Sequence, residues 1–174
     1  SSNRLSIKIL RVAVRMGFRL LLNRLGSRVL VQNLDDKRLL IESARIDADR
    51  VIVIRGSGVD ITVFQPMQEP KTECFVVTFV GRMLRDKGVF DFVDAARILI
   101  KRGVPLKALL VGDPDPDNPS SLSKENLLTW NKEGVVVWKE AVIDIRAIWR
   151  EYHLAVLPRY REGLPKSLLE AAAC

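Results

Sequence analysis

Four runs of continuous apolar residues, each followed by a polar or amphipathic stretch, recur between residues 74 and 158. They are "CFVVTFVG" (74–81), "LKALLVG" (106–112), "GVVVW" (134–138) and "HLAVLP" (153–158). A strand buried on one face alternates apolar with polar residues. A strand buried on both faces is apolar throughout and belongs to a parallel sheet covered by helices on either side. Between the runs, "VFDFVDAARILIKRG" (89–103) places Val89, Phe92, Val93, Ala96, Leu99 and Ile100 on one helical face and ends on Gly103, a natural stop. Ser121 or Ser123 can start a helix that runs to Lys132. Residues 143–152 read as another helix, and Pro165 suits the first turn of a last one. The expectation is a doubly wound α/β sheet, with ligands at the C-terminal ends of its strands.

The first third reads as helix, strand, helix, strand. "RVLVQN" (28–33) and "RVIVI" (50–54) are short buried strands. The stretch between them has helical periodicity, with Asn33 or Asp35 as its cap. "RGSGVDITVFQPMQEPKTE" (55–73) holds two glycines and two prolines with no sustained period. It is read as a linker between a first part, residues 1–54, and a second, residues 74–174. Gly56 and Gly58 do not make a dinucleotide fingerprint, because position 61 is Ile61 and no helix pattern follows.

The net charge of +7 is local. Arg4, Lys8, Arg11, Arg15, Arg19, Arg24 and Arg28 lie in the first 28 residues with no acid among them, and the other 21 basic residues match the 21 acidic ones. Residues 4, 8, 11, 15 and 19 stack along one helical face. Two readings remain open: an amphipathic helix lying on an anionic membrane surface over residues 4–24, or a packed helix whose wet face is basic. Nucleic acid is not expected, since no series of aromatic residues interleaves with the basic ones. Charge interrupts the apolar run too often for a membrane span or a signal peptide.

Two distant cysteines, Cys74 and Cys174, suggest neither a disulfide framework nor a zinc site and fit a reducing compartment. The single histidine, His153, rules out a His–His metal cluster and reads as a satisfied residue of a buried strand.

Three loops fall on the ligand edge of the sheet. In "GRMLRDKG", Gly81 ends a strand, Arg82 offers a planar fork of donors and Lys87 a compact charge; together they suit a diphosphate. The other reading is two solvated cations, one of them paired with Asp86. In "YREGLPKSLLEAAAC", Glu162 lies in the loop after the fourth apolar run. The amides of Gly163, Leu164 and Lys166 at the mouth of the following helix suit an anion or hydroxyls. Glu170 sits inside that helix among Leu169, Ala171 and Ala172, where a buried carboxylate needs a partner such as a ribose diol. Spacing alone also allows Glu170 to be an exposed helix residue and Glu162 a loop acid. The third loop, "WKEAVID", is a weaker signal, suited to framing a base by backbone contacts.

"GSGVDITVFQP", "FVGRMLRDKG", "LLVGD" and "YREGLPKSLLEAAAC", in that order and spacing, resemble the retaining nucleotide-sugar glycosyltransferases of the GT-B fold (group 1, family 4). The likeness is nearest to the bacterial group that builds lipid-linked capsule and O-antigen polysaccharides, and it runs from about Arg28 to the end. It implies two Rossmann-like domains, the acceptor on the N-terminal one and the sugar nucleotide on the C-terminal one, joined through "GSGVD". Arg82 and Lys87 match the basic pair on the donor diphosphate. Glu162 and Glu170 match the E-x7-E pair, the first on the donor sugar and the second on the ribose. Gly81, Gly163, Leu164 and Lys166 fall at donor-binding positions.

The implied reaction is transfer of a hexosyl or N-acetylhexosaminyl group from a nucleotide sugar, foremost a UDP-sugar. The acceptor is lipid-linked (polyprenyl-phosphate) or a saccharide, and anomeric configuration is retained. No cofactor or metal is expected. The implied location is cytoplasmic, peripheral on the inner face of the cell membrane. Glu140, where relatives commonly carry glycine, and Val142 and Ile143, often polar, depart from the pattern around the base. Against the family the chain reads as a fragment, the end of one domain and an incomplete second, expected to be inactive in isolation. A nucleotide-sugar-binding module without turnover and a sugar-nucleotide epimerase of similar fold are the alternatives; "EGLPKSLLE" argues against the epimerase.

Overall fold

A computed structural model describes residues 2–56, 58–159 and 164–174, with side chains from residue 7 onward. The chain divides into two compact units, Ser1–Ser57 and Gly58–Cys174.

The first unit begins with helix α1 (Ser2–Leu22), followed by strand β1 (Val29–Val31), helix α2 (Leu34–Ala44) and strand β2 (Val51–Val53). The two strands pair in parallel, Val29 opposite Val51 and Val31 opposite Val53. Asn33 caps α2, its side chain accepting from the Asp36 N–H at 2.7 Å. That bond satisfies one of the amides a helix start leaves open and contributes about 1 kcal/mol. The core is small: Ala44, Ile46 and Val51 are buried, with Leu22, Val29, Val31, Leu40 and Ile41 against them. Lys8, Arg11, Arg15 and Arg19 are exposed on α1, as the stripe predicts. So are Ile7, Leu10, Val14, Phe18 and Leu21. Basic and apolar side chains of α1 are thus both exposed.

The second unit contains β3 (Phe75–Val80), α3 (Val89–Lys101), β4 (Leu106–Val111), α4 (Lys124–Lys132), β5 (Val137–Lys139), α5 (Arg146–Trp149), β6 (Leu154–Ala155) and α6 (Lys166–Ala173). All four strands are parallel, in the order β5–β4–β3–β6. Side chains alternate between the faces. Phe79, Ala108 and Leu110 join Phe92, Val93, Leu127 and Trp130 from α3 and α4 in one cluster. Val76, Leu109 and Val111 join Ile148, Trp149 and Ala171 from α5 and α6 in the other. Helices thus cover both faces, the doubly wound arrangement expected from the apolar runs. The chain proceeds outward from β3 to β5 and then returns to the other side of β3. The topological switch point, where ligands bind in such sheets, lies between β3 and β6.

Three expected elements are shorter. The run at 134–138 forms a strand only from Val137, because Gly134 takes a left-handed φ of 74° and its N–H closes the end of α4 on Asn131. The helix expected over 143–152 is the single turn α5. Asp144 accepts from the Arg146 N–H at 3.1 Å and starts the helix there, leaving Ile143 fully exposed. At 153–158 only Leu154 and Ala155 pair as strand.

Residues 58–73, within the stretch read as a linker, belong to the second unit. Phe64 packs on the cluster containing Trp149, and the Met67 N–H donates to the Cys174 carbonyl. His153 is satisfied, as expected: its Nδ1 accepts from the Val76 N–H at 3.0 Å, its Nε2 lies 3.0 Å from the Pro70 carbonyl, and its ring stacks on Phe75.

Candidate functional site

Where β3 and β4 end side by side, two glycines meet. Gly112 has φ 137°, and a Cβ there would lie 2.1 Å from the Gly81 carbonyl oxygen. The close approach of these two strand ends therefore requires glycine at 112. Gly81 itself has no such need: a Cβ there would meet only the Phe79 ring at ordinary contact distance. The loop after β3 closes with Gly88, at φ 77°, where a Cβ would lie 1.9 Å from the Pro158 carbonyl oxygen. Gly88 thus lets this loop touch the segment after β6, at the switch point.

Just beyond the strand ends lies a cavity of about 580 Å³. Gly81 and Arg82 line it from β3, residues 112–116 from β4, Ala141, Val142, Ile143 and Ile145 from the segment after β5, and Glu170 from α6. A second cavity of about 660 Å³ shares Asp113, Pro114 and Pro116 and extends to Ser123, Lys124, Trp138 and Glu140. Trp138 donates from Nε1 to the Gly112 carbonyl at 2.9 Å, which fixes the indole at its edge. Lys124 pairs with Glu140 at 2.7 Å, and that bond raises the lysine pKa.

Arg82 reaches the first cavity with a 61% exposed side chain. Its Nη1 donates to Asp115 Oδ2 at 2.5 Å. Asp86, read as the partner of one of the two loop cations, accepts from the Ser120 hydroxyl at 3.1 Å. Glu170 is buried, 8% exposed, and Lys166 one turn earlier places its Nζ 3.5 Å from Oε1. Burying a carboxylate costs several kcal/mol unless donors surround it, and a carboxylate has acceptor sites for several donors. The exposed-helix reading of Glu170 is thereby corrected.

The structure brings Gly81, Arg82 and Glu170 to one cavity. Lys87 ends a 3₁₀ turn, Arg85–Lys87, and is half-buried. Among the described residues the cavity lining does not include Lys87, Leu164 or Lys166. Glu162 and Gly163 lie outside the described residues. No group of three or more His, Cys, Asp or Glu residues suited to a metal ion occurs among the described residues.

Sequence reasoning missed Asp113 and Asp115. Asp113 accepts from the Ala141 N–H at 3.1 Å and so ties the β5 loop to the β4 loop. Both acids stand in "DPDPDNPSS" (113–121), the loop after β4. The regular alternation of Asp with Pro is the signal that was available.

Comparison with known proteins follows this geometry. Residues 74–174 match the family described as Glycosyl transferases group 1. A Campylobacter jejuni N,N'-diacetylbacillosaminyl-diphospho-undecaprenol alpha-1,3-N-acetylgalactosaminyltransferase is 33% identical over 138 residues, covering 72% of this chain and 35% of that protein. An Escherichia coli UDP-Gal:alpha-D-GlcNAc-diphosphoundecaprenol alpha-1,3-galactosyltransferase is 27% identical, covering 83% of this chain and 40% of its own. The chain therefore spans well under half the length of these relatives. Among solved structures, Anabaena HepE in complex with UDP and glucose superposes with a TM-score of 0.71 at 23% identity, covering 100% of this chain and 48% of that one. A Rickettsia africae glycosyltransferase gives 0.69 at 19% identity, covering 90% and 45%. These neighbours share the GT-B fold, which the parallel sheets reproduce in part. The ordered motifs, the parallel sheet with a cavity at the C-terminal ends of its strands and the match over residues 74–174 agree, and the chain belongs to the group 1 glycosyl transferases.

Proposed function

We propose that the second unit is the donor-binding half of a glycosyltransferase that takes a sugar from a UDP-sugar and passes it, with retained anomeric configuration, to a lipid-linked or saccharide acceptor in cell-surface polysaccharide synthesis. The observation that carries this reading is the convergence of Arg82 and Glu170 on one cavity at the C-terminal edge of a parallel sheet. Arg82 supplies N–H donors for a diphosphate, with Lys87 as the second cation of its loop. Glu170 supplies carboxylate acceptors for a ribose diol. The names of the relatives support the rest: two act on undecaprenyl-diphosphate-linked acceptors, and HepE was solved with UDP and glucose.

In the proposed reaction the bond between the sugar's anomeric carbon and the β-phosphate oxygen breaks, and its electron pair leaves with the nucleoside diphosphate. An acceptor hydroxyl forms the new bond, and its proton passes to the departing diphosphate. Charge grows on the leaving diphosphate as the bond stretches, so cations placed there stabilise the transition state more than the ground state. Glu162 is assigned to the donor sugar's hydroxyls. The reading requires no metal ion, since Arg82 and Lys87 supply the countercharge. Work takes place at the inner face of the cell membrane, with the exposed basic stripe of α1 against anionic lipid. No described helix is long and apolar enough to cross a membrane.

Calorimetric titration of UDP into the full chain tests the reading. UDP binds, and Arg82→Ala weakens it by about 10- to 100-fold, the range for a lost charge-assisted hydrogen bond. Equal affinity in the two proteins would contradict it. Turnover of the full-length enzyme should survive EDTA, and the product's anomeric configuration, read by NMR, should match the donor's.

A further inference from the structure

The β4–α4 loop does more than bound the cavity. It is zipped to the Arg82 loop by backbone bonds: Met83 N–H to the Asp113 carbonyl at 2.9 Å, Leu122 N–H to the Met83 carbonyl at 2.8 Å, and Arg85 N–H to the Ser120 carbonyl at 2.8 Å. Asp115 sits in the middle of this zipped segment, between Pro114 and Pro116. Its own N–H donates to the Ser121 hydroxyl at 2.8 Å, and its carbonyl accepts from Asn118 at 2.9 Å. The Asp115 backbone is therefore held on both sides, with two flanking prolines of restricted φ. Arg82, by contrast, carries a long and largely exposed side chain. Of the two partners, the carboxylate is the anchored one.

The pair uses a single guanidinium nitrogen, Nη1. An arginine fork has five N–H donors in one plane. Fixing one corner of that plane orients the rest without using them in this contact. Both residues line the same cavity.

We propose that Asp115 is a positioning residue: it holds the Nη1 corner of Arg82 so that the remaining edge of the guanidinium faces a nucleoside diphosphate in the cavity. This rests on the donor-site reading above. An exposed ion pair contributes at most about 1 kcal/mol to stability. Its role is to remove side-chain freedom that Arg82 would otherwise lose on binding, which is a gain in affinity by preorganisation. The carboxylate also repels the diphosphate, so its two effects oppose one another and can be separated by substitution.

Asparagine keeps an oxygen acceptor for Nη1 and removes the charge. Alanine removes both. UDP affinity of the full chain, measured by calorimetry, should fall about fivefold in Asp115→Ala, the weight of one exposed charged contact. In Asp115→Asn it should equal or exceed that of the wild type. With Arg82→Ala already present, the loss seen for Asp115→Ala should vanish. Circular dichroism melting keeps the loop's integrity in view, since none of the zipping bonds uses the Asp115 side chain. Equal tightening in the Asn and Ala variants would mean that Asp115 acts only by repulsion, and would overturn the proposal. So would an Asp115→Ala loss that persists beside Arg82→Ala, or a loss accompanied by a lowered melting temperature. If UDP binds and Arg82→Ala weakens it while Asp115→Ala changes nothing, this inference alone fails. If wild-type protein does not bind UDP, or Arg82→Ala leaves binding unchanged, the donor-site reading fails and this inference with it.

Discussion

The two units treat their apolar residues differently. In the second, Ala108 to Val111 of β4 are all buried, and helices lie on both faces of the sheet. In the first, two strands of three residues pack with α2 around a core of three buried side chains, only one of them (Val51) on a strand, and α1 shows apolar and basic residues outward alike. Only the second unit brings a closed scaffold to the place where loops must be held within tenths of an ångström. Precise ligand positioning needs supporting residues that are themselves locked by packing. The first unit leaves the basic and apolar side chains of α1 exposed.

Substitution can break this contrast most forcefully in the cores. Phe79→Ala, in the larger cluster of the second unit, should cost about 3–5 kcal/mol. Leu10→Ala on α1 should stay within about 0.5 kcal/mol. Thermal unfolding of both variants measures the difference; comparable losses would show that α1 is packed in solution. Neutralising Lys8, Arg11, Arg15 and Arg19 together should remove up to about 4 kcal/mol of affinity for anionic vesicles, at about 1 kcal/mol per basic residue near the surface. Co-sedimentation with phosphatidylglycerol vesicles reads this, and unchanged sedimentation would leave α1 without a lipid role. The smallest effect concerns α5. Hydrogen bonds from the Arg146 side chain and backbone hold Asp144 below the usual carboxylate pKa. A carboxylate whose folded pKa is depressed stabilises at pH values above its unfolded pKa, and this is lost as pH falls through the folded value. Asp144→Asn should therefore lower the melting temperature slightly at neutral pH, with the difference closing in acid.

Legibility in the sequence followed the range of the interaction. Strands of the second unit stand out because burial on both faces leaves an unbroken apolar run, and Asn33, Ser123 and Gly103 mark helix ends by local chemistry. Arg82's partner, Asp115, lies 33 residues away on a neighbouring strand's loop. No local pattern encodes that distance; it follows from β3 and β4 pairing in register. Lys166 beside Glu170 is legible, since positions i and i+4 adjoin on a helix. The need for glycine at 112 and at 88 appears only when Gly81 and Pro158 are in place.

The central claim is that a nucleoside diphosphate sits at the C-terminal edge of the second unit's sheet. Hydrogen–deuterium exchange of the full chain with and without UDP tests it most directly. The account predicts slower exchange at residues 81–87, 112–115 and 141–145, with less of that protection in Arg82→Ala at the same UDP concentration. Protection confined to residues 2–56, or no change at these three strand-end loops with UDP bound, would contradict it.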